Sequence, residues 1–199
     1  MSFSRPIQGD TSRGLLSRML RAARLDGSLY EEVRADAGAT GQALTVVALL
    51  AVAHGVGSMI RGASFGENPV IGFLFGALGE IVFFAAASGA IYLFGNRVFG
   101  GKSTYAQVLR PFGFSIVPGL LILLASLVSL LATGAQTPVL VAIIAWRLAA
   151  GYIATRQAIG LDASRSSIVL LVGVLSGMVA VVIATRVLFE VLGSVGMSS

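Results

Sequence analysis

Ionisable side chains inside apolar segments are the residues of this 199-residue chain that could do chemistry. Glu80 and Arg147 each lie about ten residues inside a long apolar stretch, so both reach the middle of a membrane at about 1.5 Å of rise per residue. A charge at that depth costs about 2.5 to 3.5 kcal/mol for insertion alone, unless it is paired or hydrated. We therefore predict an intramembrane polar pair of Glu80 and Arg147.

A second set of ionisable residues lies toward the outer ends of the apolar stretches, in the orientation that the basic residues predict. Arg186 and Glu190 are one helical turn apart and can pair with each other. They can also pair with two residues at the end of the first apolar stretch. The predicted outer-half polar cluster is His54, Arg61, Arg186 and Glu190. Pairs of this kind either fix which helices are neighbours or line a polar groove for lipid headgroups or ions.

No arrangement of residues indicates catalysis. His54 is the only histidine, the chain has no cysteine, and no HExxH or paired-aspartate pattern occurs in or near an apolar stretch. We therefore predict no catalytic residue, no metal site and no cofactor, and a protein that is not an enzyme.

The composition places the chain in a membrane. Hydrophobic residues make up 56% of the sequence and charged residues 12%, and the mean hydropathy is +0.89, well outside the range of soluble domains. Five apolar stretches are each close to the ~20 residues that a helix needs to cross a bilayer. They are residues 42–60, 70–94, 112–132, 138–155 and 167–192. We predict an all-α polytopic membrane protein with five transmembrane helices.

The distribution of basic residues predicts the orientation. The N-terminal segment and the connections on its side carry Arg5, Arg13, Arg18, Arg21, Arg24, Arg34, Arg97, Lys102, Arg110, Arg156 and Arg165, and the other connections carry Arg61 alone. Because basic residues accumulate in cytoplasmic loops, the N-terminus is predicted inside and the C-terminus outside. Residues 1–41 are then a cytoplasmic arm and residues 42–199 a membrane domain. No removable signal peptide is expected, because arginines interrupt the leucines of the arm.

The arm begins with an amphipathic pattern in residues 12–25. As a helix it has an apolar face with Leu15, Leu16, Met19, Leu20 and Ala23, and a basic face with Arg13, Arg18, Arg21 and Arg24. Such a helix either lies in the interface or packs onto the cytoplasmic ends of the spans. We predict that the four arginines face lipid and bind anionic headgroups. A second short helix is expected to open with a capping box of Ser28 and Glu31.

Two glycine pairs and the net charge of +5 bear on partners. Gly72 with Gly76, and Gly173 with Gly177, have the spacing that lets helix backbones approach closely, either inside the chain or in a homodimer. The basic residues lie beside membrane segments and form no patch interleaved with aromatics, so nucleic acid is not expected as a partner.

A polar connection runs directly into the third apolar stretch, which two prolines interrupt. Pro111 is expected in the first helical turn, where a missing N–H costs little. Pro118, about two turns further on, must bend the span. Because lipid leaves no backbone group unpaired, the bend must face protein or a wet cavity.

This segment resembles the Yip family of Ypt/Rab-interacting membrane proteins, in which a glycine–aromatic pair precedes a proline at the start of the corresponding helix. The matching positions are Tyr105, Arg110, Gly113, Phe114 and Pro118. Residues 26–44 and 146–152 are also similar to prokaryotic members. The resemblance implies a Yip domain of five helices with a cytoplasmic N-terminus.

In eukaryotic members the resemblance also implies binding of Rab-type GTPases and a role in vesicle trafficking. This sequence lacks their long cytoplasmic tail and their Asp-Leu-Tyr-Gly-Pro motif, which argues against a Rab-type partner. Arginine outnumbers lysine 13 to 1, and alanine, glycine and valine abound, which favours a prokaryotic cytoplasmic membrane.

Three functions follow from these observations. The leading hypothesis is a non-enzymatic membrane protein that organises or shapes the bilayer through its arm. The alternative is a lipid or ion conduit beside Glu80, Arg147 and the broken third span. A third reading is an assembly factor that holds a partner membrane protein.

Overall fold

A computed structural model describes residues 14–63, 66, 68–131 and 136–194. Within these ranges the chain is helical and contains no strand. The helices are α1 (Leu15–Ala23), α2 (Gly27–Ala35), α3 (Ala39–Ala63), α4 (Pro69–Arg97), α5 (Tyr105–Ser115), α6 (Ile122–Leu131), α7 (Gln136–Ile159) and α8 (Ala163–Ser194), and a 3-10 segment (Val117–Leu121) joins α5 to α6.

Five segments of the described chain are long and apolar enough to cross a membrane: α3, α4, the unit from α5 to α6, α7 and α8. The all-α, five-span prediction is confirmed. The N-inside orientation stays a prediction, and the bundle end that carries α2 is called the inner end in accordance with it. The first span, α3, begins at Ala39, three residues before the predicted start, and Ala39 in its first turn is buried.

The third span begins earlier than the sequence suggested. Thr104 and Gln107 form a capping box that starts α5 at Tyr105. Pro111 therefore lies inside the helix, and its predicted place in the first turn is wrong. The helix ends at Ser115, and Pro118 falls in the first turn of the 3-10 segment, where its missing N–H is tolerated. Residues 111–119 are all buried, so the break faces packed helices over most of its surface.

Glycines allow the closest contacts between spans, and these contacts lie within the chain. A Cβ atom at Gly72 would lie 3.1 Å from the Ser58 carbonyl oxygen of α3, and one at Gly173 would lie 3.1 Å from the Ala87 carbonyl oxygen of α4. A Cβ atom at Gly76 would overlap the His54 carbonyl oxygen of α3, and one at Gly177 would lie 3.0 Å from the Phe83 carbonyl oxygen of α4. All four glycines thus take part in packing within the chain, and a homodimer through them stays a prediction.

The arm packs on the inner end of the bundle. Leu29, Tyr30 and Val33 of α2 are fully buried and share one hydrophobic core with α3, α5 and α7. Asp26 is the N-cap of α2, because its carboxylate accepts a hydrogen bond from the Ser28 backbone N–H at 3.0 Å. The capping box predicted at Ser28 and Glu31 is therefore wrong, and the helix begins two residues earlier.

Candidate functional site

The two central ionisable residues meet in the middle of the bundle. Glu80 lies eleven residues past the start of α4 and Arg147 eleven past the start of α7, so each is about 16 Å from the outer end of its helix. Arg147 Nη2 donates a hydrogen bond to Glu80 Oε1 at 2.7 Å. The structure thus joins the two side chains that depth alone had paired.

The Glu80 carboxylate also faces α3. Its second oxygen, Oε2, lies 3.4 Å from His54 Nδ1. The Glu80 side chain is 4% exposed, against 19% for Arg147 and 24% for His54. A buried charge pair is stable only when its remaining hydrogen-bonding capacity is met, so this centre ties three helices together.

The Arg147 guanidinium keeps unused donors. Of the described residues, only Glu80 accepts a hydrogen bond from it, which leaves Nε and Nη1 without a hydrogen-bond partner among them. Its Cζ lies 5.8 Å from the centre of the Phe83 ring, within reach of a cation–π contact. Gly119 makes room for the side chain, since a Cβ there would lie 3.2 Å from Arg147 Cδ.

Two cavities adjoin this guanidinium. The outer one, about 330 Å³, is bordered by the His54–Glu80–Arg147 centre and by Gly76 and Gly79 of α4. The inner one, about 280 Å³, lies between α4, α5, α7 and α8, and its lining is apolar apart from Arg147 and Ser115. Arg147 and Phe83 border both cavities.

The predicted outer-half cluster does not form. His54 faces Glu80, and Arg61 donates to the hydroxyl oxygens of Ser58 and Ser126, each at 3.0 Å. Arg186 and Glu190 are exposed on α8, and no ion pair between them is present in the described part of the chain. The reason is rotation: α8 packs on α4 through Gly177, and Arg186 is about two and a half turns further on, on the opposite side.

The basic face of α1 points inward. Arg18 is 1% exposed, and its guanidinium donates to Glu32 at 2.8 Å, to Asp36 at 2.6 Å and to Gln42 at 2.9 Å. Arg21 bonds Asp26 at 2.8 Å and also Glu32. The prediction that these arginines face lipid is wrong for Arg18 and for the bonded guanidinium of Arg21, because carboxylates of the arm satisfy them. Arg24 is exposed, and Arg13 lies outside the described residues.

Hydrogen bonds lower the pKa values of two carboxylates in this arginine–carboxylate cluster. The Ser28 hydroxyl and then the Arg21 guanidinium lower the pKa of Asp26 from 3.8 to about 2. Burial alone would raise the pKa of Glu32, but hydrogen bonds from Arg21 and Arg18 lower it below its ordinary value. Both carboxylates are therefore ionised at neutral pH and hold α1 against α2.

Leucines, not arginines, form the outward face of α1. Leu16 is 75% exposed and Leu20 60% exposed. The far end of α1 is tied to a membrane span, because Trp146 Nε1 of α7 donates to the Ala23 carbonyl oxygen at 2.9 Å. Trp146 lies 13 residues before the end of α7, or about 20 Å along the helix. The contact holds the C-terminal end of α1 against α7.

The five family-motif positions support the fold around the site and do not line the outer cavity. Arg110 Nε donates to Thr40 Oγ1 at 2.7 Å, and Nη1 donates to the Arg34 carbonyl oxygen at 2.9 Å, which fastens α5 to the start of α3 and to the end of α2. Tyr105 shares a 3.0 Å hydrogen bond with Ser88 of α4. Gly113 lies against Ala43, Phe114 is fully buried, and Pro118 opens the 3-10 segment.

Sequence reasoning missed the Arg18 cluster and the Trp146 contact. Glu32 and Asp36 are one helical turn apart, and that spacing could have indicated a binding face for an arginine. The Trp146 contact has no such signal, because it joins positions 123 residues apart. Within the described residues, no group of three His, Cys, Asp or Glu side chains could hold a metal ion.

Comparison with known proteins gives one match. The family model described as the Yip1 domain matches residues 27–185, which is more than half of the chain. No curated protein and no solved structure matches. The match starts with the first residue of α2, so α1 lies ahead of it.

Proposed function

The chain belongs to the Yip1-domain family of multi-pass membrane proteins, and from this premise we propose that it organises or shapes the bilayer, without catalysis, by wedging α1 into the inner leaflet. The proposed location is a prokaryotic cytoplasmic membrane, with anionic lipids at its inner face.

The outward leucines of α1 carry this proposal. Leu16 and Leu20 are one turn apart and form an apolar ridge, while Arg18 on the other side is locked to the bundle. A free amphipathic helix can roll or leave the membrane, but this one is fixed in its rotation by its buried ion pairs. The bilayer must therefore accommodate the leucine ridge where the fold places it.

Exposed basic residues at the inner end of the bundle also support an inner-leaflet position for α1. They are Arg24, Arg97, Lys102, Arg156 and Arg165. Each basic residue near an anionic surface contributes about 1 kcal/mol of attraction. A wedge in one leaflet, held down by basic residues at that leaflet's surface, enlarges the inner leaflet relative to the outer one and favours curvature toward the inside.

The test replaces both ridge leucines with serine in the full chain, reconstituted into vesicles that contain anionic lipid. We expect the wild-type protein to reduce vesicle diameter or form tubules in electron micrographs, and Leu16→Ser with Leu20→Ser to lose this effect. Leu124→Ser with Leu127→Ser is the control, because these leucines are comparably exposed but lie on α6. Equal vesicle shapes for all three proteins would refute the wedge.

A lipid or ion conduit is the second candidate, because the two cavities share Arg147 and Phe83 in their linings. Its test is flux of ions and scrambling of labelled lipids in proteoliposomes. Absence of both activities would remove it and would leave the wedge unaffected.

A further inference from the structure

The two cavities beside Arg147 differ in chemistry in the way that the two ends of an amphiphile differ. The outer one has three ionisable side chains in its lining, those of His54, Glu80 and Arg147, whereas the inner one is lined by apolar residues apart from Arg147 and Ser115. We infer that together they bind one anionic amphiphile, whose carboxylate or phosphate pairs with Arg147 in the outer cavity and whose alkyl chain lies in the inner cavity. The wedge of α1 takes no part in this site.

Arg147 can bind the anionic head because its charge is only partly used. Nη2 is taken by Glu80, while Nε and Nη1 have no hydrogen-bond partner among the described residues. Carboxylates and phosphates accept such donors in pairs, and the bonds are strong where water is excluded. Within the site, Glu80 competes with the ligand for the same cation. Removing its charge should therefore strengthen binding of an anion.

The inner cavity fits the alkyl chain. Four helices contribute apolar side chains to it, among them Phe112, Ile144, Leu148, Leu170 and Val174. Its volume of about 280 Å³ is close to the lower end of the roughly 300 to 1,000 Å³ of ligand pockets, which are typically apolar with few polar groups. Water gains little in such a space, so a hydrocarbon chain is its favoured occupant.

The positions of the cavities set the direction of the ligand. Along α4, Gly76 and Gly79 of the outer cavity lie on the outer side of Glu80, and along α7, Leu148 and Gly151 of the inner cavity lie on the inner side of Arg147. A bound amphiphile has its head toward the outside and its chain toward the inside. With the predicted orientation, this is the direction of a lipid in the outer leaflet.

Photolabelling of the full chain in nanodiscs tests the chain half of the site. The probe is palmitic acid with a diazirine in its chain, and the labelled peptides are identified by mass spectrometry. We expect labels on the inner halves of α7 and α8, and a loss of about tenfold or more in Val174→Trp and Leu148→Trp, which fill the cavity. Leu175→Trp is the matched control, since Leu175 follows Val174 on α8 but lines neither of the two cavities, and it is expected to leave the labelling unchanged.

The head half is tested with Glu80→Gln and Arg147→Gln. Palmitate labelling should rise in Glu80→Gln and fall in Arg147→Gln, whereas labelling by a diazirine hexadecanol, which has no charge, should respond to neither. Glu80→Gln keeps the shape of the side chain, and thermal unfolding in detergent shows whether each variant is folded. A fall in palmitate labelling in folded Glu80→Gln would overturn the assignment of the head to Arg147.

Two sources supply such an amphiphile, a free fatty acid and an anionic phospholipid. Competition with unlabelled palmitate or with phosphatidylglycerol identifies which one occupies the site, and either result supports it. Labelling that is indifferent to Val174→Trp and Leu148→Trp, or no labelling of α7 and α8, would overturn the proposal.

Discussion

At the scale of single residues, the Glu80 carboxylate decides what the centre of the bundle can do. It is the only acceptor of a hydrogen bond from Arg147 in the described structure, and its other oxygen faces His54. If either charge is removed, the remaining one is buried in a low-dielectric interior. A pair of this kind adds little net stability, but removal of one partner strongly destabilises the fold.

A double-mutant cycle measures this destabilisation. Arg147→Leu should lower the free energy of unfolding by about 3 to 5 kcal/mol, because Glu80 is left buried and charged. Adding Glu80→Gln to it should restore part of that loss, since no charge then remains unpaired. The measurement is unfolding of the purified protein in mixed micelles.

The exposed pair of Arg165 and Asp162 is the control for the cycle. Their side chains are 56% and 57% exposed at 3.1 Å, so Arg165→Leu should change the stability by less than about 1 kcal/mol. Equal effects of Arg147→Leu and Arg165→Leu would show that the central pair is hydrated.

Equal depth in two spans was enough to predict the Glu80–Arg147 pair, because a buried charge has few partners in lipid. The same reasoning was insufficient for Arg186, whose direction depends on how α8 rotates to place Gly173 and Gly177 on α4. The rotation of a helix about its axis follows from its packing, and the sequence of α8 alone does not show which helix it packs on.

At the scale of elements, α1 is held by ion pairs on one side and by hydrogen bonds to the carbonyl oxygens at its C-terminal end. Arg18 and Arg21 bind the carboxylates of Glu32, Asp36 and Asp26. Trp146, the only tryptophan of the chain, bonds the Ala23 carbonyl. Tryptophan fluorescence therefore reports directly whether the end of α1 is docked on α7.

Acid should release α1. The folded-state pKa of Asp26 is about 2 against an ordinary 3.8, and that of Glu32 is also lowered. Groups with a depressed folded pKa stabilise the folded form fully above their ordinary pKa, and this stabilisation is lost as the pH falls through the folded pKa. We expect Trp146 emission to be constant from pH 7 to about 5 and to change between about 4 and 2.

Glu32→Gln should weaken the docking of α1 already at neutral pH, by about 1.5 to 3 kcal/mol for each charged hydrogen bond that is lost. Glu31→Gln changes the same charge on the exposed neighbour and should leave Trp146 emission as in the wild type. Equal emission spectra for the two variants would contradict the role of Glu32 in docking.

The apolar stretches and the proline at Pro118 were sufficient to predict five spans and a break in the third. The face that α1 turns outward was not predictable from its own pattern, because Arg18 donates to acceptors 14 and 18 residues further along the chain. Helical-face analysis treats a helix in isolation and assigns arginines to the headgroups by default.

At the scale of the whole molecule, several exposed basic residues and the arm lie at the same end of the bundle. Arg24 is exposed beside α1, and Arg97, Lys102 and Arg156 are exposed around the connections at the same end. The wedge of α1 and the direction of the bound amphiphile both depend on which side of the membrane this end faces.

Reporter fusions determine that side. A phosphatase that is active only outside the cytoplasm should be active when fused after residue 66, between α3 and α4, or at the C-terminus, and inactive when fused after residue 100 or residue 160. A fluorescent protein that folds only in the cytoplasm should give the opposite pattern at the same four positions. If the C-terminal fusion proves cytoplasmic while the fusion after residue 100 proves external, the whole bundle is inverted. The leucine ridge would then lie in the outer leaflet, and the curvature measured in vesicles would have the opposite sign in the cell.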